Sequence, residues 1–291
     1  MKQLSDLKGY YVFNHSAVKT CLWLKKSLKD GGVCYKEKFY RIHSHRCLQM
    51  TPALLCNQFC IHCWRPLELL RDFKAWDKPE EIVEESIKAQ KKLLSGFYGT
   101  EGVNKRKLEE AQNPKHVAIS LIGEPTLYPY LPELIDCYKE RGFTTFLVTN
   151  GTNPEMVERV KPTQLYISLT AFNEESHVAL NRPLRNYWPQ ILKSLEAMRR
   201  NEARKVLRLT LIKGINMNEK AIESFDKLIR LAEPDYVEAK AYMFLGYSRL
   251  RLKYENMPSH EEIVEFSKIL SRKGYEIVNE SESSRVCLLR V

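Results

Sequence analysis

MTPALLCNQFCIHC, residues 50–63, closes on three cysteines at positions 56, 60 and 63. The apolar run MTPALLC (50–56) reads as a buried strand, and the C-x3-C-x2-C spacing after it lets three thiolates on one short loop face a single metal centre. Cysteine thiolates suit iron–sulfur clusters and zinc alike. Bare spacing leaves Cys47 open as a fourth ligand, which would close a structural zinc shell. Upstream, however, Cys21, Cys34 and Cys47 follow one another at intervals of 13 residues. Assigning Cys47 to the downstream set would leave Cys21 and Cys34 without partners. Two groups of three is the tidier partition, each with one coordination position unclaimed by cysteine. A reactive metal site keeps such a position open, whereas a structural one closes it.

Cysteine usage agrees with metal rather than disulfides. The chain has 291 residues and eight cysteines, the other two being Cys137 and Cys287, which read as plain hydrophobes. No stretch approaches the roughly 18–20 apolar residues of a membrane span. MKQLSDLKGYYVFNH lacks the apolar core of a signal peptide. A cytoplasmic location is therefore expected, where thiols stay reduced and clustered cysteines bind metal. A net charge of +10 favours a polyanionic partner, or simply a basic enzyme.

Beyond residue 115 short apolar runs alternate with helical patterns. HVAISLIG (116–123), TTFLVTNG (144–151), QLYISLTA (164–171), KVLRLTLIKG (205–214) and DYVEAKAYMFLG (235–246) read as strands. Continuous apolar runs are the mark of parallel strands buried on both faces. Between them, LPELIDCYKERG (131–142), PEMVERV, NYWPQILKSLEAMRR (186–200) and EKAIESFDKLIRLA (219–232) carry helical spacing, and HEEIVEFSKILSRKG (260–274) follows. Residues 77–97 form a further amphipathic helix and 105–112 a shorter one; the stretch before NYWPQ reads as an irregular link. With MTPALLC as the first strand, six parallel strands predict an α/β fold of open-barrel type, a doubly wound sheet being the runner-up.

The loop CNQFCIHCWRP resembles the cluster loop of radical S-adenosylmethionine enzymes. With HRCLQMTPALLC before it, and KPEEIVEESIKAQKKLLSGF, PKHVAISLIGEPTLYP, GFTTFLVTNGT, LNRP and VEAKAYMFLGYSRLRL after it, the chain resembles the tRNA 4-demethylwyosine synthase family from about residue 18 to about residue 255. The resemblance implies a partial (β/α)6 TIM barrel of the radical SAM type with an N-terminal extension carrying an auxiliary iron–sulfur cluster. The implied parts are residues 1–48 with the auxiliary ligands, a core at 49–255, and a C-terminal helix and tail at 256–291. It also implies two [4Fe-4S] clusters, on Cys56, Cys60 and Cys63 and on Cys21, Cys34 and Cys47, with S-adenosyl-L-methionine on the open iron of the first.

Other roles are carried over by position. Glu124, in Gly123-Glu124-Pro125, matches the family's contact to the methionine amino group. A carboxylate beside an ammonium makes electrostatic sense; the plain alternative is a charge at a helix N-terminus. Asn150 and Ser168 sit at strand ends where the cofactor's carboxylate or ribose is held. His62 stands where the family commonly has Tyr or Phe near adenine, and an imidazole can still stack.

The family builds the tricyclic base of wyosine precursors. It condenses N1-methylguanosine-37 in the anticodon loop of tRNA(Phe) with pyruvate. An open iron of the auxiliary cluster is one holder for pyruvate. Lys36, two residues beyond Cys34, is another, because a lysine among other cations is suited to Schiff-base chemistry. Lys38 is the weaker candidate, and Lys213 reads as a substrate contact or a solvated cation. Arg41, Tyr242, Tyr247, Arg249 and Arg251 interleave charge and aromaticity in the manner of RNA contacts. No flavodoxin-like domain precedes the barrel, so an external electron donor of flavodoxin or ferredoxin type is expected. Two competing readings are a radical enzyme acting on another substrate and a zinc-stabilised RNA-binding protein without catalysis.

Overall fold

The apolar runs become strands and the amphipathic stretches become helices in a computed structural model that describes residues 9–66 and 75–291. Residues 1–8, on which part of the leader reading and of the expected 1–48 segment falls, lie outside the described residues. The described chain divides into two units, residues 9–56, 75–148 and 160–163 in the first and 57–66, 149–159 and 164–291 in the second.

In the first unit a hairpin of β1 (Tyr10–Phe13) and β2 (Ser16–Lys19) leads to α1 (Leu22–Leu28), α2 (Tyr35–Tyr40) and β3 (Cys47–Thr51). Then come α3 (Pro79–Leu94), α4 (Lys105–Ala111), β4 (His116–Ile119), α5 (Leu131–Glu140) and β5 (Thr144–Thr149), whose last residue belongs to the second unit. β2 is antiparallel to β1 and to β3, whereas β3, β4 and β5 run parallel with Cys47, His116 and Thr144 in register at their starts. β4 is buried along its whole length, as its apolar sequence requires. α3 opens on Pro79, Glu80 and Glu81 and ends on Lys91 and Lys92, charges that complement its dipole. Leu24, Leu28, Leu94, Leu108 and Ala111 pack α1, α3 and α4 into one cluster. Each buried leucine contributes about 1.5–3 kcal/mol, and the cluster fixes the α1 end that carries Cys21.

The second unit holds α6 (Pro154–Arg159), β6 (Gln164–Leu169), α7 (Glu174–Asn181), α8 (Trp188–Arg200), β7 (Arg204–Leu211), α9 (Glu219–Ala232), β8 (Tyr236–Ala241), α10 (His260–Ser271), β9 (Glu276–Ser281) and β10 (Val286–Arg290). β6, β7 and β8 are parallel; β10 lies antiparallel between β8 and β9. On β6 the alternation of strand side chains places Leu165, Ile167 and Leu169 on one face and Gln164, Tyr166 and Ser168 on the other. Asn218 caps α9 by accepting from Ala221 N–H, and Ser259 with Glu262 forms a capping box on α10.

Three regions differ from expectation. The first parallel strand is Cys47–Thr51, not 50–56, because Pro52 has no N–H to continue the ladder. The link before NYWPQ contains α7, capped by Asn173 and Ser176. The expected C-terminal tail forms β9 and β10, with Cys287 fully buried in the latter.

Candidate functional site

Cys21 and Cys34 are both helix N-caps, of α1 and α2, and Cys47 opens β3. The Cys21 sulfur accepts from Leu24 N–H at 3.3 Å. Burial pushes the Cys47 thiol up; Cys21 and Cys34 push it further and Lys36 opposes them. Cys21 is likewise raised by burial and eased by its own helix N–H groups and by Lys36 and Lys25. Three thiols and one lysine therefore share one electrostatic neighbourhood. Lys36 is 8% exposed, the one buried lysine among the described residues, with its Nζ 5.0 Å from the centre of the Phe146 ring on β5.

The chain between Cys34 and Cys47 is tied down by polar contacts. Cys34 N–H donates to Ser44 Oγ (2.8 Å), and Ser44 donates through Oγ (2.6 Å) and N–H (2.7 Å) to the Glu37 carboxylate. His43 N–H donates to His116 Nε2 (3.1 Å), and His116 Nδ1 lies 2.6 Å from Thr144 Oγ1. Burial first, then His43 and Arg46, press the His116 pKa down to about 4, so the ring is neutral and its Nε2 can accept. Arg41 closes α2 in the left-handed region, exposed to solvent.

Cys56 lies beyond the far end of β3 from Cys47. The strand between them, Cys47–Thr51, spans about 13 Å at ~3.3 Å per residue. Cys47 is thus placed with Cys21 and Cys34 and away from Cys56. After β4, Gly123 has φ +74, and a Cβ there would stand 2.0 Å from Ala53 O and 2.6 Å from Leu55 O. Glu124 N–H donates to Leu55 O at 2.7 Å, which closes this backbone approach beside Cys56. Glu124 is 2% exposed, and its Oε1 accepts from Thr126 N–H (3.1 Å) and Oγ1–H (2.7 Å). The carboxylate thus also serves the turn that follows.

In the second unit the cysteine loop is held from two sides. Phe59 N–H donates to Asn181 O and Ile61 N–H to Leu180 O, both at 2.9 Å, and Leu184 N–H donates to Asn57 O at 3.1 Å. On the other side Arg251 donates through Nε to Ile61 O (3.3 Å) and through Nη2 to Cys63 O (2.5 Å). Tyr247 N–H donates to Trp64 O (3.1 Å), and a Cβ on Gly246 would meet that oxygen at 2.2 Å. Cys60 is half-buried, its thiol pushed up to about 12 by desolvation and then by Cys63. His62 Nε2 lies 3.1 Å from Thr170 Oγ1; burial, then Arg251, hold its pKa down to about 4, and its buried Nδ1 has no hydrogen-bond partner.

Asn150 forms a closed triangle of hydrogen bonds. Its Nδ2 donates to Asn57 Oδ1 (2.9 Å), Asn57 Nδ2 to Thr152 Oγ1 (2.8 Å), and Thr152 Oγ1 to Asn150 Oδ1 (2.7 Å). Ser168 pairs in register with Arg208, which bonds Glu238 at 2.9 Å and lies 4.5 Å over the Tyr166 ring. One expectation needs correction. Tyr242 is 2% exposed and donates to Ser248 Oγ at 2.9 Å, so burial removes it from RNA stacking. The Arg251 guanidinium is engaged with the cysteine-loop carbonyls. Arg249 stays exposed over Phe244, and Lys213 is an exposed partner of Glu262. Sequence reasoning missed the Gln58, His177 and Asn181 network around Cys60; LNRP was its only trace.

Among the described residues no three His, Cys, Asp or Glu side chains are grouped for one shared ion. Cysteine thiols are the donor type that an iron–sulfur cluster takes, and the residues of the cysteine loop fit such a group in their chemistry.

Comparison with known proteins gives the class first. The radical SAM superfamily model matches residues 50–225, so the chain is a radical SAM protein, with the partial (β/α)6 barrel fold of that class. A second model, wyosine base formation, matches residues 231–291. The S-adenosyl-L-methionine-dependent tRNA 4-demethylwyosine synthase of Pyrococcus abyssi is 54% identical over 96% of this chain and 84% of its own length. That of Pyrococcus horikoshii is 53% identical over 99% and 88%. A solved structure of TYW1 with a lysine–pyruvate adduct bound is 41% identical with a TM-score of 0.89, covering 97% of this chain and 92% of that one. The chain belongs to the tRNA 4-demethylwyosine synthase family. No helix among the described residues is long and apolar enough to cross a membrane.

Proposed function

We propose that this chain condenses N1-methylguanosine-37 of tRNA(Phe) with pyruvate to form 4-demethylwyosine, a lyase reaction placed in the cytoplasm and fed by an external flavodoxin- or ferredoxin-type donor. Cys56, Cys60 and Cys63 hold one [4Fe-4S] cluster, and Cys21, Cys34 and Cys47 hold the second. When bound, the first cluster with S-adenosylmethionine supplies a 5′-deoxyadenosyl radical able to take hydrogen from the methyl group of the base.

The chain's own residues bind and orient. Glu124 pairs with the cofactor's ammonium, and the Gly123 approach keeps that carboxylate in place. Asn150, fixed by Asn57 and Thr152, and Ser168 offer polar groups to the cofactor's carboxylate and ribose. His62, neutral and shielded, packs against adenine. The Lys36 amine attacks the keto carbon of pyruvate; a C=N bond forms, the keto oxygen leaves as water, and the imine carbon is held for bond formation to the base, the pyruvate carboxylate being the group lost. Arg41, Tyr247, Arg249 and Arg251 contact the RNA.

The observation that carries it is Lys36, buried against Phe146 within the field of three cysteines, in a family where one TYW1 structure holds a lysine–pyruvate adduct. The test is anaerobic incubation of the cluster-loaded chain with methylguanosine-bearing tRNA, pyruvate, S-adenosylmethionine and reductant, followed by nucleoside mass spectrometry. 4-Demethylwyosine that depends on pyruvate is the expected product. Deoxyadenosine release with an unmodified nucleoside profile contradicts the substrate assignment.

A further inference from the structure

LNRP (180–183) ends α7 against the cysteine loop, and its backbone and side chains do different things. The main chain of Leu180 and Asn181 holds Ile61 and Phe59. The Asn181 side chain instead points its Nδ2 at the Cys60 sulfur, 3.3 Å away, and at Gln58 Oε1, 3.2 Å away. Gln58 is itself fixed, because its Nε2 lies 3.0 Å from His177 Nε2. The Gln58 amide nitrogen can only donate, so His177 Nε2 accepts from it, as burial, which lowers the His177 pKa, favours; the Gln58 carbonyl then faces both Asn181 and the Cys60 thiol, whose sulfur lies 3.4 Å away. Gln58 and His177 are 1% exposed and Asn181 7%. His177 and Asn181 stand one helical turn apart on the same face of α7.

We propose that Asn181 is a positioning residue that donates an N–H···S hydrogen bond to Cys60 and thereby raises the reduction potential of the cluster held there. The inference rests on the reading of Cys60 as a cluster ligand. An added electron increases negative charge on the cluster sulfurs, so a fixed donor stabilises the reduced form more than the oxidised one. The Gln58–His177 relay matters because an amide free to turn could present its oxygen to the sulfur instead, with the opposite effect. Because the loop is clamped by main chain, changing the side chain leaves those clamping bonds in place.

The test uses the full chain with Cys21, Cys34 and Cys47 changed to alanine, leaving one cluster. The protein is reconstituted anaerobically, assayed for iron and sulfide, and titrated with a mediated reductant under electron paramagnetic resonance, without S-adenosylmethionine. In Asn181→Leu the signal persists, and the ratio of reduced to oxidised cluster at a fixed potential falls about tenfold, ~59 mV for one electron. Asn181→Ala, which removes the donor without adding a charge, moves the same way and serves where the leucine variant loads poorly. Midpoints equal to the parent's in the loaded fraction of both variants overturn the proposal. So does failure of both to load any cluster, which would assign Asn181 to loop folding alone. Persistence of the signal in Cys60→Ala would instead remove the ligand reading beneath it.

Discussion

The two cysteine trios are built in opposite ways. Cys56, Cys60 and Cys63 sit in eight consecutive residues, and what the fold adds is a set of clamps on that loop: Leu55 against Glu124, Phe59 and Ile61 against LNRP, Ile61 and Cys63 against Arg251. Cys21, Cys34 and Cys47 come from two helix caps and a strand start, so that trio exists only once α1, α2 and β3 are packed. A loop-borne trio suits a site whose open position must accept a mobile cofactor. A trio spread over packed elements suits a site that holds a small substrate beside a fixed lysine.

The sharpest way to break this comparison is to remove each trio separately. Changing Cys56, Cys60 and Cys63 to alanine abolishes both deoxyadenosine release and 4-demethylwyosine. Changing Cys21, Cys34 and Cys47 leaves deoxyadenosine release in place while product disappears. Chromatography of both compounds from one reaction reads the split; equal loss of deoxyadenosine in the two variants would erase the division of labour.

Lys36→Ala comes next. Product formation falls on the order of 10³-fold, as expected for removal of a covalent nucleophile, while deoxyadenosine release continues. Borohydride treatment with labelled pyruvate adds mass to the peptide containing Lys36 in the parent and not in the variant. Pyruvate trapped on another lysine would move the substrate role away from this trio.

Gly123→Ala tests the backbone approach beside Cys56. Positive φ and a Cβ within 2.0 Å of Ala53 O cost about 2–5 kcal/mol in strain and overpacking. Denaturant unfolding measures that loss, and an unchanged midpoint would show that the approach is loose.

The smallest effect concerns the ties around the second trio. His116 has a folded pKa of about 4 against 6.5 unfolded, so its stabilising contribution is complete above pH 6.5 and is lost as pH falls toward 4. The loss is on the order of 2 kcal/mol. His116→Asn flattens the pH dependence of the melting temperature over that window; an unaltered slope would show that other groups carry it.

How legible each region was follows from the same contrast. The loop trio and the buried strands β4 to β8 announce themselves by spacing and by continuous apolar runs. The strand β3 did not, because its sequence CLQMT alternates and includes a polar Gln and a cysteine. α7 was hidden because three of its four buried residues, Ser176, His177 and Asn181 beside Leu180, are polar while Val178 is exposed, so no apolar stripe marks it. β9 is a largely exposed, charged edge strand and gives little periodic signal. The Asn181 contact to Cys60 and the Arg251 grip on the loop join residues more than a hundred positions apart, which no local pattern records.

Metal analysis of three proteins purified and reconstituted anaerobically addresses the central claim most directly: the parent and the two triple-cysteine variants. Two independent trios predict about eight irons with matching sulfide in the parent and about four in each variant. Colourless, zinc-containing protein, or loss of all iron from either variant alone, would contradict two separate clusters.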